Sequence, residues 1–247
     1  MTVHFIGAGP GAADLLTIRA VNLMGSAPVC LYAGTYVTSE VLAYCSAGAE
    51  LIDTQHLDLD QITTHLVAAH RAGSDVARLC SGDPSIYSAL AEQIRRLDEA
   101  GVPWDVTPGV PAYAAAAAIL GRELTAPELS QTVILTRAQA RSTKMPASES
   151  LPLLARSRAT LVLHLAITRI RQVVEDLLLE YGADAPVAVV ANASAADELV
   201  LRGTLADIAG QVEAAELRQA AVILVGEVLA GRGVAESHLY SVRNRRG

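Results

Sequence analysis

A short apolar segment followed by a glycine turn constrains this chain more than any other feature. Val76–Leu79 is apolar apart from Arg78 and predicts a buried strand, and the next residues read CSGDPSIYSALAEQ. Asp83 is placed to cap a helix and Pro84 to occupy its first turn, so we expect that helix to continue to Gly101. A strand with such a turn is a typical ligand site in α/β sheets, although a capped helix needs no ligand.

The spacing of apolar segments predicts an α/β fold in two parts. In the first half, predicted strands alternate with helices, which favours a mainly parallel sheet. In the second half the strands follow each other more closely, which favours a mixed sheet. We therefore predict an N-terminal α/β domain at 1–121, a linker at 122–130 and a C-terminal mixed α/β domain at 131–240.

Composition excludes several classes of protein. The chain has 247 residues, of which 51% are hydrophobic, yet no apolar run approaches the roughly 18 residues of a membrane helix. The net charge of −7 and the aromatic content of 4% weigh against nucleic-acid binding. We expect no signal peptide, and the three scattered cysteines fit a reducing cytoplasm.

The first glycine-rich loop does not match a nucleotide-binding fingerprint. Residues 7–11 read GAGPG, so their glycines alternate and the G-x-G-x-x-G spacing fails. No acidic residue follows the second predicted strand to hold a ribose, and no G-K-[S/T] is present. What remains is a tight loop at the end of the first strand.

Signatures of hydrolytic and metal chemistry are also missing from the sequence. No H-E-x-x-H, C-x-x-C or G-x-S-x-G occurs, and His65 and His70 lack the i, i+4 spacing of a shared metal site. His164 lies on an apolar strand and is expected to be a core residue. We therefore expect no hydrolytic triad and no protein-bound metal.

Three motifs together resemble the tetrapyrrole (corrin/porphyrin) methyltransferase family. They are VHFIGAGPG at 3–11 with LLT at 15–17, SGDP at 81–84, and PGVPA at 108–112. Three ordered loops between residues 3 and 112 are more specific than one glycine-rich loop. The resemblance implies a cytoplasmic homodimer that uses S-adenosylmethionine to methylate a tetrapyrrole substrate in cobalamin synthesis.

The same resemblance implies the fold class and the cofactor contacts. The expected fold is a non-Rossmann class III methyltransferase, with two α/β domains and an active-site cleft between them that holds S-adenosylmethionine. Leu165 stands where the family often has Met, and Ala193 where it often has Gly. The positions that match cofactor contacts are Pro10, Ser81, Gly82, Asp83, Ile86, Tyr87, Pro111, Ala112, Leu165 and Ala193.

Basic residues in a polar loop are the candidates for substrate binding. A tetrapyrrole of this pathway carries many carboxylates, so Arg137, Arg141 and Lys144 are predicted to anchor it through charge-assisted hydrogen bonds. A solvated loop is the alternative. We assign no catalytic base, because an activated methyl donor needs mainly positioning and desolvation; Asp83 and Tyr87 are the polar candidates.

Several functions stay open at this point. The segments at 32–34, 84–93 and 123–132 look most like family members that methylate C11, with C17 or C20 as the alternative position. The substrate could be metal-free or loaded with cobalt. Family members that act on a protein or on ribosomal RNA fit the acidic composition poorly. A non-catalytic module that binds tetrapyrrole or S-adenosylmethionine is the alternative from another class, and a turnover assay separates the two.

Overall fold

The protein consists of two compact units. The computed structural model describes residues 1–138 and 144–231. The first unit comprises Met1–Ala115 with the short segment Ser194–Ala196, and the second comprises Ala116–Ala193 and the chain from Asp197 onward. The domain boundaries predicted at 121 and 131 stay a prediction.

The first unit contains a five-stranded parallel sheet, as the alternation of strands and helices predicts. The strand order is β3-β2-β4-β1-β5, and all four pairings are parallel. The strands are β1 (Val3–Gly7), β2 (Val29–Tyr32), β3 (Glu50–Asp53), β4 (Val76–Cys80) and β5 (Trp104–Thr107). The helices are α1 (Ile18–Ser26), α2 (Ser39–Leu42), α3 (Leu59–Arg71), α4 (Leu90–Glu99) and α5 (Ala112–Leu120), with a 3-10 turn at Ala13–Leu15; α5 continues into the second unit.

Both faces of this sheet are covered, because successive side chains of β1 point to opposite sides. Phe5 packs with Leu66 of α3 and Leu97 of α4 in one cluster. Ile6 packs with Met24 of α1 in the other. All five side chains are fully buried, so the sheet is a rigid support for the loops at its ends.

The second unit contains a mixed five-stranded sheet of order β6-β7-β10-β8-β9. The pair β6–β7 is parallel, and the other three pairings are antiparallel. The strands are β6 (Val133–Arg137), β7 (Thr160–His164), β8 (Pro186–Ala191), β9 (Leu199–Thr204) and β10 (Ala221–Val225). The helices are α6 (Leu151–Ala155), α7 (Ile170–Tyr181) and α8 (Ile208–Ala214), with 3-10 turns at Ala147–Glu149, Ile167–Arg169 and Glu227–Ala230.

The predicted start of the helix after β4 is wrong. α4 begins at Leu90, six residues beyond Pro84, and its N-cap Ala89 has a left-handed φ of 55°. Tyr87 also has a positive φ, of 54°. A right-handed helix cannot pass through such residues, so 84–89 forms a loop instead. The predicted end is close, since α4 stops at Glu99 and Gly101 follows with φ 68°.

Within residues 1–138 and 144–231, no helix has the length and apolar character needed to cross a membrane.

Candidate functional site

Three neighbouring strands of the first unit end at the same edge of its sheet. Gly7 of β1 pairs in register with Cys80 of β4, and Ile6 of β1 pairs with Thr107 of β5. Because all three strands are parallel, the loops that follow them meet at one place. These are the loops at 8–12, 81–89 and 108–111, which carry the three sequence motifs.

Backbone hydrogen bonds join the first two loops. The Ala8 amide donates to the Cys80 carbonyl at 2.8 Å, extending the β1–β4 pairing by one residue. Gly9 and Gly82 then exchange two bonds, of 3.2 Å and 2.8 Å, in an isolated antiparallel bridge. Gly82 has φ 65°, a conformation that favours glycine. The backbones of the two loops are therefore joined directly by hydrogen bonds.

Glycines allow the third loop to touch the first two. A Cβ added at Gly7 would lie 2.5 Å from the Gly109 Cα. One added at Gly109 would lie 2.8 Å from the Gly7 Cα and would also overlap the Gly82 carbonyl oxygen. Gly7 and Gly109 are thus packed at distances that exclude a side chain, whereas a Cβ at Gly82 would lie 3.5 Å from its nearest neighbours. The sequence motifs supply glycine at all three contact points.

The Asp83 carboxylate ties the second loop to the third. Its Oδ2 accepts a 2.8 Å bond from the Gly109 amide, and its Oδ1 accepts bonds from the Ser85 amide, at 2.8 Å, and the Ser85 hydroxyl. Partial burial raises the pKa of this carboxyl, but the hydrogen bonds from Ser85 and Gly109 outweigh it and leave the pKa below its ordinary value. Asp83 therefore stays ionised at neutral pH and braces the loops.

The other predicted cofactor residues of the first unit border these loops. Ser81 and Tyr87 are exposed, Tyr87 by 48%. Gly82 itself is buried. Pro10, Asp83, Ile86, Pro111 and Ala112 are half-buried. The structure thus brings together all eight predicted residues of the first unit at one edge of the sheet. Their contact with a cofactor stays a prediction.

The two predicted cofactor residues of the second unit follow two strands that run in the same direction. Leu165 follows β7 and is 63% exposed with φ 52°, while Ala193 lies buried two residues after β8. Asn192, between β8 and Ala193, also has a positive φ, of 48°. Strained residues of this kind cluster at functional sites. Their role at a cofactor stays a prediction.

Ser194 completes the first loop of the first unit from far along the sequence. Its Oγ accepts a 3.0 Å hydrogen bond from the Ala12 amide, directly after the GAGPG segment. Ser194 itself has φ 66°. No sequence motif identifies this residue.

The predicted substrate-binding cations are brought together in part. Arg137, the last residue of β6, donates from Nη2 to the backbone carbonyl of Lys144 at 3.4 Å. Arg137 is half-buried and the Lys144 side chain is exposed. Arg141 lies outside the described residues. Beside Arg137 in the sheet, burial lowers the pKa of His164 and favours its neutral form.

A buried polar network beneath the 84–89 loop is not predicted from the sequence. It consists of Thr54, Arg78 and Gln93, which are exposed by 5%, 8% and 2%. Arg78 donates from Nε to Gln93 Oε1 at 3.0 Å and from Nη1 to Thr54 Oγ1 at 3.2 Å. The signal was the charged Arg78 in an otherwise apolar strand.

The described residues contain no group of three or more His, Cys, Asp or Glu side chains that could hold a metal ion. Cys30, Cys45 and Cys80 are free thiols. The loops at 8–12, 81–89 and 108–111 present backbone amides and carbonyls, hydroxyls and one carboxylate.

Comparison with known proteins gives matches along the whole chain. The family model "Tetrapyrrole (Corrin/Porphyrin) Methylases" matches residues 2–209. A precorrin-4 C(11)-methyltransferase of Rhodococcus erythropolis is 58% identical over 246 residues, which cover 100% of this chain and 99% of the relative.

Two solved structures share the fold and part of the sequence. A cobalt precorrin-4 methyltransferase matches with a TM-score of 0.89 and 37% identity, covering 92% of this chain and 95% of the other. A uroporphyrin-III C-methyl transferase from Thermus thermophilus, in complex with S-adenyl homocysteine, matches with a TM-score of 0.80 and 29% identity, covering 94% and 100%.

Proposed function

This chain belongs to the tetrapyrrole (corrin/porphyrin) methylase family, and from that premise we propose that it methylates C11 of precorrin-4 to give precorrin-5 in cobalamin synthesis. The methyl donor is S-adenosylmethionine. The identity of 58% along the full length of a precorrin-4 C(11)-methyltransferase is the observation that carries this proposal. The family model alone fixes the reaction class and leaves the ring position open.

The metal-free substrate is the better supported of the two forms of precorrin-4. Identity to the relative named for precorrin-4 is 58%, whereas identity to the cobalt precorrin-4 methyltransferase is 37%. The first is named for precorrin-4 and the second for cobalt precorrin-4. The difference in identity favours the metal-free form for this chain.

The residues at the edge of the first sheet fit S-adenosylmethionine. The packed glycines Gly7, Gly82 and Gly109 leave backbone, rather than side chains, at the mouth of the site. Backbone groups suit the polar ends of such a ligand, while the half-buried Ile86 and the exposed ring of Tyr87 offer apolar surface for its adenosine part. The methyltransferase from Thermus thermophilus, with the same fold, is described in complex with S-adenyl homocysteine.

Positioning is the main task of the protein in this reaction. S-adenosylmethionine supplies a methyl group on a positively charged sulfur, which an electron-rich ring carbon can accept directly. The protein must hold donor and acceptor in line and exclude water. The loops are suited to this task, because hydrogen bonds of Asp83 to Ser85 and Gly109 and the bridge between Gly9 and Gly82 hold them together. No residue is assigned as a catalytic base.

We propose that basic residues of the second unit bind the carboxylates at the periphery of the tetrapyrrole. Arg137 is half-buried at the end of β6, which suits a charge-assisted bond to a carboxylate. Lys144 is exposed, and its backbone carbonyl accepts a hydrogen bond from the Arg137 guanidinium. Arg141 is included from its place between them in the sequence. A homodimer and a cytoplasmic location stay predictions.

A turnover assay by mass spectrometry tests the proposal. Precorrin-4, made in situ by upstream enzymes, is incubated with this protein and with S-adenosylmethionine carrying an isotopically labelled methyl group. We expect a product heavier by one labelled methyl, located at C11. Parallel reactions with cobalt-precorrin-4 are expected to be slower. No transfer to either substrate, with cofactor binding intact by calorimetry, would instead support a non-catalytic binding module.

A further inference from the structure

The loop at 84–89 is strained and is held from below by buried side chains. Tyr87 and Ala89 both adopt left-handed φ values, which cost free energy for residues other than glycine. The Gln93 side chain donates from Nε2 to the carbonyls of Ala89, at 3.2 Å, and Ser88, at 3.4 Å. The Ser88 hydroxyl in turn donates to the Pro84 carbonyl. The loop is therefore fixed by specific hydrogen bonds.

Arg78 determines which way the Gln93 amide points. A guanidinium can only donate, so the bond from Arg78 Nε requires the amide oxygen of Gln93 to face β4. The amide nitrogen must then face the carbonyls of the loop. Arg78 also donates to Thr54, whose hydroxyl donates onward to the Tyr32 carbonyl at 3.0 Å. Every donor in the network is thus oriented by one buried charge.

A buried charge of this kind is costly, which argues that it has a use. Arg78 is 8% exposed, and across residues 1–138 and 144–231 it forms no ion pair. Its two partners are neutral, and burial lowers the pKa of its guanidinium. Apolar residues of similar size would fill the same core without the cost of desolvating a charge.

We propose that Arg78 and Gln93 are positioning residues that hold the 84–89 loop in its left-handed conformation, so that Ile86 and Tyr87 can bind S-adenosylmethionine. This inference rests on the function proposed above. It extends the site from the three glycine loops to a buried layer that touches neither cofactor nor substrate. The 84–89 loop connects the glycine loops to this layer, because it follows Asp83 directly and leads into α4, which carries Gln93.

Two substitutions of Gln93 separate positioning from general stability. Gln93→Glu keeps an acceptor for Arg78 and pairs its charge, but it removes the donor to the loop carbonyls. Gln93→Met removes both functions in a side chain of similar size. Gln172→Met is the matched control, because Gln172 is exposed on α7 in the second unit.

Calorimetry with S-adenosylhomocysteine at 25 °C gives the readout, with folding checked by the fluorescence of Trp104, the sole tryptophan. We expect Gln93→Glu and Gln93→Met to bind about tenfold more weakly than the wild type, and Gln172→Met to bind equally. Adding Ala89→Gly to either Gln93 variant should restore the affinity to within about threefold of the wild type, because glycine adopts the left-handed conformation freely.

The outcomes distinguish this inference from the function beneath it. Absence of binding by the wild type would overturn both. A folded Gln93→Met protein that binds as tightly as the wild type would overturn the inference alone. A loss of affinity that Ala89→Gly does not restore would show that the network does not act through the conformation of the loop.

Discussion

At the scale of single residues, the site depends on glycine at three positions, for two different reasons. Gly7, Gly82 and Gly109 come from three separate motifs. A Cβ at Gly7 or at Gly109 would overlap the backbones of the other two glycines. Glycine is commonly selected for a left-handed φ, but here only Gly82 has one. Gly7 and Gly109 are needed for close backbone approach.

Gly109→Ala is predicted to disrupt the site. Its Cβ would overlap the Gly82 carbonyl oxygen, which belongs to a hydrogen-bonded backbone that cannot move away cheaply. We expect a loss of about 1–3 kcal/mol in the free energy of unfolding by urea, followed by Trp104 fluorescence, together with weaker binding of S-adenosylhomocysteine. Gly48→Ala is the control, because a Cβ there meets nothing within 4 Å. Equal behaviour of the two variants would contradict this packing.

Asp83→Asn is predicted to lose stability in a pH-dependent way. Because hydrogen bonds lower the folded-state pKa below 3.8, the carboxylate stabilises the fold fully above that pH. This contribution disappears as the pH falls through the lower folded-state pKa. We expect the variant to be less stable by about 1–2 kcal/mol at pH 7, with the difference shrinking below about pH 4.

Urea unfolding at a series of pH values measures this difference. Asp184→Asn, at an exposed aspartate of the second unit, is the control and should match the wild type throughout. A constant difference between the Asp83 variant and the wild type from pH 7 to pH 3 would be inconsistent with a carboxylate that braces the loops.

Arg137→Ala is predicted to affect the substrate and spare the cofactor. A charge-assisted bond to a substrate carboxylate accounts for a change of roughly 10- to 100-fold, so we expect KM for precorrin-4 to rise by that factor. Affinity for S-adenosylhomocysteine should stay unchanged. Arg95→Ala removes an exposed arginine of the same charge on α4 and serves as the control. An unchanged KM would remove Arg137 from the proposed substrate site.

At the scale of elements, α3 shows a helix start that its own sequence defines. The Asp58 side chain accepts from the Gln61 amide at 2.8 Å, and the Gln61 side chain accepts from the Asp58 amide at 2.9 Å. This reciprocal capping box needs only residues three apart, so local sequence is sufficient to form it. The helix accordingly starts at Leu59, directly after its N-cap Asp58.

Asp58→Ala is predicted to weaken this helix. Removing the capping side chain should cost about 1 kcal/mol in the free energy of unfolding. Thermal unfolding followed by circular dichroism is the measurement, with Asp184→Ala as the control outside any helix. Equal melting temperatures for both variants and the wild type would show that the cap does not stabilise the helix.

The start of α4 shows the opposite case. The sequence Asp-Pro-Ser resembles a helix start, but Asp83 accepts from Gly109, 26 residues away, as well as from Ser85. The bond from the Gly109 amide engages the Asp83 carboxylate outside the helix, so Asp83 does not cap α4. The helix begins only at Leu90, six residues after Pro84. Pro84 and Ser85 therefore belong to the loop.

At the scale of the whole molecule, ligand binding should stabilise the protein by mass action. A ligand that binds the folded state at 100 times its Kd adds about 2.7 kcal/mol, so we expect S-adenosylhomocysteine to raise the melting temperature by roughly 5–10 °C. NAD is the control ligand, since the GAGPG segment lacks the dinucleotide spacing. A comparable shift with NAD would contradict the selectivity proposed for this site.

A short segment from the second half of the sequence belongs to the first unit. The first unit is completed by Ser194–Ala196, which follow β8 of the second sheet. Ser194 supplies the acceptor for the Ala12 amide beside the first glycine loop. The first unit therefore depends on residues contributed from the second half of the sequence.

The sequence by itself determined the order of strands and helices, the three glycine motifs and the family to which the chain belongs. Apolar spacing and turn residues act over a few positions, so the strand at Val76–Leu79 and the end of the next helix near Gly101 could be predicted. Only the tertiary structure decided that Asp83 braces Gly109, that Arg78 orients Gln93, and that Ser194 reaches Ala12. Each of these contacts joins residues at least 15 positions apart in the sequence, so no local pattern predicts it.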